Sequence, residues 1–295
     1  MKTCVCGYGV MGSAIAKTLL TPSLAKQLAI TTPYVYEPNT ETSEIAAKDG
    51  FTVTKSLPQA DLYFLCMKPQ DITPFFTQCG NDIAAQPTNN KPFFISIAAG
   101  VNLTTLSSML TTYAHLPPAK QKCARIMPNL PTIIQAGAGA VTYNSQITPA
   151  DKKIIHSLLS TMGTYIEIAE HHMDAVTALS GSSPAFILTA IEAVTDAGVL
   201  LGLSKKEART LAAATFKGTA ELVLNKHSHP AVLRDQVTSP AGTTIYGLRA
   251  LEQSTSFRSA LMNAIRAAYK RSRTLGKQAA RRSAGKQAAR RSAEK

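Results

Sequence analysis

Two stretches of this 295-residue chain carry residues whose types and spacing suit chemistry. One is the segment from Asp235 to Leu251, in which Ser239-Pro240-Ala241-Gly242 spells a tight turn of small residues. Thr243 and Thr244 follow where a helix is expected to begin. A helix N-terminus offers unpaired N–H groups and the positive end of the macrodipole, which suits a carboxylate. The two hydroxyls add neutral donors and acceptors beside it. On these residues alone, an ordinary Ser-Pro turn with threonine caps explains the segment too.

The other stretch opens the chain. Lys2–Cys6 reads as a short apolar strand that runs into Gly7-Tyr8-Gly9-Val10-Met11-Gly12, then into a helical stripe at Met11, Ile15 and Leu19. A G-x-G-x-x-G between a strand and a helix is the dinucleotide-binding fingerprint in its required context. Gly7 makes the tight turn, Gly9 lets the backbone approach a pyrophosphate, and Gly12 lets helix and strand pack closely.

The elements that must position these groups follow from pattern. Strands are expected at 2–6, 33–37, 61–67, 93–97 and 122–127, with helices at 11–20, 70–79 and 103–112. Such βα alternation implies a mostly parallel sheet covered on both faces, with ligands beyond the carboxyl ends of its strands. Cys66-Met67-Lys68-Pro69 and Ala98-Ala99-Gly100 fall at such ends. Lys68 there either meets a cofactor phosphate or ribose or is a solvated strand-end lysine. From about residue 165 the alternation stops and the chain reads as helices. The division expected is therefore a Rossmann-type α/β domain over 1–165, an all-α domain over 166–275, and a basic tail over 276–295.

These segments, together with Met127-Pro-Asn129, Ala178–Ala185 and Thr238–Leu251, occur in an order that resembles Δ1-pyrroline-5-carboxylate reductases. The resemblance spans about residues 1–275. It implies reduction of a cyclic imine carboxylate to proline with NADPH or NADH. It also implies that the Gly7–Gly12 loop, Cys66–Pro69 and Ala98–Gly100 line the cofactor. Such a reaction needs a hydride, a proton on the ring nitrogen and an anchor for the carboxylate. An imine nitrogen is itself basic, so hydroxyls and amides suffice where a histidine–carboxylate pair would be superfluous. Thr244 is the hydroxyl expected on the ring nitrogen. The N–H groups of Gly242 and Thr243, with the Ser239 hydroxyl, are expected on the carboxylate. By the same resemblance Glu170 falls near the substrate and Gln236 near the nicotinamide; a solvated turn glutamate describes Glu170 equally well.

Two positions depart from the family pattern. Glu37 ends the second strand where many members have a neutral hydroxyl residue, and no arginine follows it. A carboxylate there accepts from the ribose 2′-hydroxyl and repels a 2′-phosphate, which tilts the choice toward NADH. Ala241 stands where many members have glycine, and a methyl is tolerable there only if φ is negative.

Composition bounds the rest. An apolar fraction of 45% with mean hydropathy near zero describes an ordinary globular protein. The five cysteines (4, 6, 66, 79 and 123) show no metal or disulfide spacing, and no export signal precedes them, so free thiols in a cytoplasmic setting are expected. His171 and His172 are adjacent and come without a ligand pattern, so no metal is expected. The run Pro184–Leu203 is apolar almost all round but holds Glu192 and Asp196, which argues against a membrane span. A helix of this kind wants neighbours on several sides, so an interleaved homodimer or an assembly of dimers is expected.

The tail is separate. Gly276–Ala284 repeats residue for residue at Gly285–Ala293. Residues 276–295 hold seven of the 31 basic residues and one acid, a net +6 of the total +13. An alanine-rich basic repeat either extends the preceding helix 256–275 or stays irregular; Gly276 and Gly285 favour a break, so an irregular tail is expected, either inert or in weak contact with a polyanion. Outside the imine reductases, two other readings fit the fold: a hydroxy-acid dehydrogenase, and a non-catalytic nucleotide-binding protein that uses the tail. The first would need a general base, and 178–190 offers only hydroxyls.

Overall fold

A computed structural model describes residues 1–31, 33–85, 92–253 and 256–293, with backbone alone at 282–283 and 286–293. It divides into two compact units: Met1–Gly181 together with the chain from Ala268 on, and Ser182–Ala267. The first boundary thus lies after Gly181 rather than 165, and the end of the chain rejoins the first unit.

The first unit runs β1 (Thr3–Cys6), α1 (Val10–Leu19), α2 (Pro22–Gln27), β2 (Tyr34–Tyr36), α3 (Thr40–Lys48), β3 (Thr52–Thr54), β4 (Leu62–Leu65) and α4 (Ile72–Ala84). It continues through β5 (Phe93–Ser96), α5 (Leu103–Ala114), β6 (Lys122–Met127), β7 (Gly137–Tyr143), α6 (Pro149–Met162), β8 (Gly163–Glu167) and α7 (Met173–Val176). The strands form one sheet in the order β3-β2-β1-β4-β5-β6-β7-β8. All pairs are parallel except β6 with β7. The direction of strand order reverses between β1 and β4, which is where such sheets open a ligand crevice.

The central strands are apolar on both faces because helices cover both. In β1, β4 and β5 every residue is buried. Alternate residues supply the two cores: Cys4, Tyr63, Leu65 and Phe94 pack on one side with α4 and α5, and Val5, Leu62, Phe64 and Ile95 on the other with α1 and α6. Each such large side chain contributes about 1.5–3 kcal/mol by leaving water. Tyr63 and Phe94 are register partners whose rings stack at 5.4 Å.

Six elements of the first unit went unforeseen: α2, α3, β3, β7, α6 and β8. β7 reads Gly-Ala-Gly-Ala-Val-Thr-Tyr, too poor in β-branched residues to signal a strand. β8 is a sheet edge with mostly exposed residues, so it lacks an apolar run. α6 did carry a signal, since Thr148 and Asp151 form a reciprocal capping box at its start.

The second unit holds α8 (Ser183–Leu200), α9 (Lys205–Lys226), α10 (Pro230–Gln236) and α11 (Thr243–Leu251), and it contains the start of α12 (Phe257–Ala293). Ser204 and Glu207 cap α9 reciprocally, and Pro230 opens α10 after His229, as the sequence suggests. An 18-residue window within Glu170–Leu200 has mean hydropathy 1.3, yet almost none of that window is covered by its own chain. In α8 only Thr195 is buried, while Leu188 and Leu200 are 55% and 87% exposed.

The tail corrects an expectation. Helix α12 continues through Gly276 and Gly285 to Ala293 instead of breaking; Glu294 and Lys295 lie outside the described residues. Alanine, lysine, arginine and glutamine favour helix enough to offset a glycine's cost of about 1 kcal/mol. Packing on the first unit adds to this. Ser272 is buried and donates to Asp174 Oδ1 at 2.7 Å, and Ala279 packs against the core between α4 and α5.

Candidate functional site

The fingerprint loop forms one wall of a cleft of about 580 Å³ at the carboxyl ends of β1, β2 and β4. Gly7, Gly9, Glu37, Cys66, Met67 and Lys68 line it. Gly7 has φ +97°, a conformation only glycine adopts cheaply, and its N–H donates to the Tyr36 carbonyl at 2.9 Å. A Cβ on Gly12 would lie 1.9 Å from the Gly7 carbonyl oxygen, so strand and helix touch there with no room for a side chain. Gly9 faces open space and begins α1 without a side-chain cap. The N–H groups of the first turn of α1 are therefore available to a pyrophosphate.

Glu37 is not turned into water. Its Oε2 accepts the Tyr8 N–H at 2.7 Å and its Oε1 the Asn39 N–H at 2.9 Å, which fixes the carboxylate at the cleft. Tyr8 is buried, donating its hydroxyl to Asp49 at 2.8 Å, so it braces the loop from behind. Val10 is exposed and Met11 half-buried on the first turn of α1. Burial pushes the Cys66 thiol up, keeping it protonated in the cleft wall.

Other expected cofactor residues sit elsewhere in the first unit. Pro69 lines a neighbouring small cavity with Leu275 and Ala279. Ala98 is buried in the core; Ala99 packs near Met127 and Met173. Gly100 has φ +76°, and a Cβ there would meet the Gly276 nitrogen at 2.8 Å. Its smallness thus admits the C-terminal helix, a reason different from the close cofactor approach expected. Glu170 is half-buried and tied into the scaffold: its Oε1 accepts the Leu103 N–H at 2.7 Å at the start of α5 and lies 3.6 Å from Arg125 Nη1.

In the second unit the Ser239–Gly242 turn is closed by the Gly242 N–H donating to the Ser239 carbonyl at 3.1 Å. That amide is spent on the turn, so of the two amides expected on the carboxylate the Thr243 N–H is the one left to a ligand. Ser239 folds its Oγ over Gly242, where a Cβ would stand 2.2 Å away. Ala241 has φ +54°. With Pro240 ahead of it, this is the type II turn geometry that wants glycine. The left-handed conformation costs an L-residue about 1–2 kcal/mol, of which glycine's extra unfolded-state freedom takes back about half. Ala241→Gly is therefore expected to raise Tm by about 1–3 °C at fixed protein concentration, read by calorimetry.

α11 then starts at Thr243 with no side-chain cap and no acid in its first turn. Thr244 is half-buried. Gln236 ends α10 and is exposed.

Sequence reasoning missed two residues of the first unit. Asn129 ties the end of β6 to other segments: its Oδ1 accepts the Ala138 N–H at 2.9 Å and its Nδ2 donates to the Ser180 carbonyl at 3.1 Å. This joins Met127-Pro-Asn129 to the π-helical turn Thr177–Gly181. Arg125 is the other, a cation buried at 3% exposure within β6. The signal was present, as a charged residue inside an apolar strand.

With this geometry in view, known proteins can be compared. Residues 170–275 match the family described as pyrroline-5-carboxylate reductase dimerisation. A pyrroline-5-carboxylate reductase of Methanosarcina acetivorans is 37% identical over 276 residues, 92% of this chain and 97% of that one. That of Arabidopsis thaliana is 34% identical over 273 residues, 91% and 93% of the two chains. Among solved structures, the Plasmodium falciparum pyrroline carboxylate reductase with NADP bound has a TM-score of 0.77 at 28% identity, covering 94% of this chain and 98% of that one. A Streptococcus pyogenes 1-pyrroline-5-carboxylate reductase has 0.78 at 28% identity, covering 93% and 98%. The sheet order, the fingerprint cleft and the hydroxyl-lined turn stand in a sequence at least 34% identical to two such enzymes over nine-tenths of its length, and the chain belongs to the pyrroline-5-carboxylate reductase family.

Proposed function

We propose that the chain reduces Δ1-pyrroline-5-carboxylate to L-proline. The observation that carries this is membership of the family by a chain whose first unit holds a dinucleotide cleft and whose second unit has a turn and helix start that display hydroxyls and an amide. NAD(P)H, when bound, supplies the hydride that adds to the imine carbon, while the ring nitrogen keeps a proton and becomes the secondary amine. The Gly7–Gly12 loop and the start of α1 hold its pyrophosphate, and Glu37 its adenosine ribose. Thr244 hydrogen-bonds the ring nitrogen and orients the C=N face. The Thr243 N–H and the Ser239 hydroxyl hold the carboxylate. Most of the acceleration comes from positioning, as expected where no strong general acid is needed. Glu170 acts by holding the start of α5, and Gln236 remains a candidate for the nicotinamide side.

NADH is the preferred cofactor in this reading. What supports it is the Glu37 carboxylate, fixed at the cleft by two backbone N–H groups, because a 2′-phosphate would meet a like charge there. Glu37→Ser is expected to raise kcat/KM for NADPH about tenfold relative to NADH, measured by steady-state oxidation of each. An unchanged ratio would remove Glu37 from cofactor choice.

The uncovered apolar faces of α8 and α9 support an interleaved homodimer or larger assembly. Cys4 and Cys6 place their sulfurs 3.8 Å apart as unpaired thiols, which fits a reducing cytoplasm. The basic repeat, helical and free of large apolar residues from 276 on, suits a weak contact with a polyanion. The test of the main reading is oxidation of NADH and NADPH by the purified chain with pyrroline-5-carboxylate. Cofactor binding without turnover would sink it.

A further inference from the structure

Beside Gly100 the first unit contains another cavity, of about 440 Å³, lined by none of the residues of the dinucleotide cleft. Its wall includes Arg125 from β6, Glu170, Asp174, and Arg273 and Lys277 from the C-terminal helix. Arg125 is the unusual member. Its side chain is 4% exposed, and among the described residues neither Nε nor Nη2 has a hydrogen-bond partner. Its Nη1 is 3.6 Å from Glu170 Oε1, longer than the 2.7–2.9 Å of a charge-assisted hydrogen bond. That carboxylate oxygen is engaged instead by the Leu103 N–H at 2.7 Å. An arginine does not shed its proton inside a protein, and a buried guanidinium with one long ion pair and two unpaired nitrogens is costly.

The opposite wall supplies more positive charge. Arg273 and Lys277 lie one helical turn apart on α12 and so share a face. The helix that carries them is pinned there, by Ser272 donating to Asp174 at 2.7 Å and by the close contact of Gly276 with Gly100. Three cations therefore face two carboxylates, each of which already accepts a hydrogen bond from the scaffold. The surplus positive charge and the unmet donors select an anion rich in oxygen. Lys277 belongs to the first copy of the repeat, so the repeat completes this site rather than merely trailing from the enzyme.

We propose that this cavity binds a phosphate group, held by Arg125 on one side and by Arg273 and Lys277 on the other. The group arrives either as free phosphate or on a nucleic-acid backbone following the basic helix, and both sources present the same oxyanion. Nothing in this depends on the imine-reductase reading, because the readout is binding and not turnover.

The test is calorimetric titration of the full chain at low salt, with inorganic phosphate in one arm and a short DNA duplex in the other. Wild type is compared with Arg273→Gln/Lys277→Gln and with Arg271→Gln. Arg271 is exposed on the same helix but about 200° around it from Arg273, so it controls for charge alone. The expected result is saturable phosphate binding that weakens at least tenfold in the double variant and is unchanged in Arg271→Gln. Duplex binding alone, with the same dependence on Arg273 and Lys277, would support the site and assign it to a polymer. No binding in either arm, or equal weakening by Arg271→Gln, would overturn the proposal.

Discussion

Gly12→Ala is expected to abolish useful dinucleotide binding, raising the Kd for NADH by about 100-fold or more. The added Cβ would stand 1.9 Å from the Gly7 carbonyl oxygen and 3.2 Å from the Cys66 Cβ. Neither is the movable end of a long side chain, so the backbone of the loop must shift by about an ångström. Overpacking of this kind costs about 1–3 kcal/mol, and the displaced loop is the one that presents N–H groups to the pyrophosphate. NADH fluorescence titration gives the affinity, and thermal unfolding gives the stability. Gly9→Ala is the informative companion, since its Cβ would meet nothing within 4 Å. It should leave Tm unchanged and still weaken NADH, because the space it fills is the space a cofactor needs. Equal affinity in both variants and wild type would show that the cleft is not the dinucleotide site.

Thr244→Ala is expected to lower kcat/KM for imine reduction about 10–100-fold while leaving the Kd for NADH alone. The reason lies in where the threonine stands on its helix. Thr189, Thr195, Thr210 and Thr215 each turn their hydroxyl back to the carbonyl four residues earlier. Thr244 is at the second position of α11, where the preceding four residues form the turn and not a helix. Among the described residues its hydroxyl has no partner, so it is available to a ligand. A hydrogen bond to a group that becomes charged contributes about 1.5–3 kcal/mol, which sets the size of the effect. Thr244→Ser should restore most of the activity. If Thr244→Ala turns over normally, the ring nitrogen is oriented by something else.

How much of this was legible depended on whether a residue's neighbours were close in sequence. The Gly7–Gly12 loop could be read because strand, glycines and helix are consecutive, and the same holds for the Ser204–Glu207 cap. Ala241 could be marked as a problem, since it breaks a turn rule, but the sign of φ had to come from the structure. Gly100 was assigned to the cofactor lining by resemblance, and its contact with Gly276 was invisible because that partner is far away in sequence. Gly242 was given a free N–H because the sequence does not show which amide closes a turn. Arg125 was overlooked for a related reason: one charge in a strand becomes meaningful only when the groups around it are counted. The repeat was expected to unravel at its glycines, and the packing that opposes this is tertiary.

The cysteines have a consequence for how the protein can be followed in solution. All five lie in the first unit, with Cys4, Cys6, Cys79 and Cys123 at 0–1% exposure. A thiol reagent can reach these four only when the core between the sheet and its helices opens, so its rate of trapping reports the local unfolding of that unit. The helical unit contains no cysteine and stays silent in the same experiment. The wild-type chain, with no label added, therefore carries a clock for one of its halves, and the opening of the sheet can be timed separately from the association of the helices.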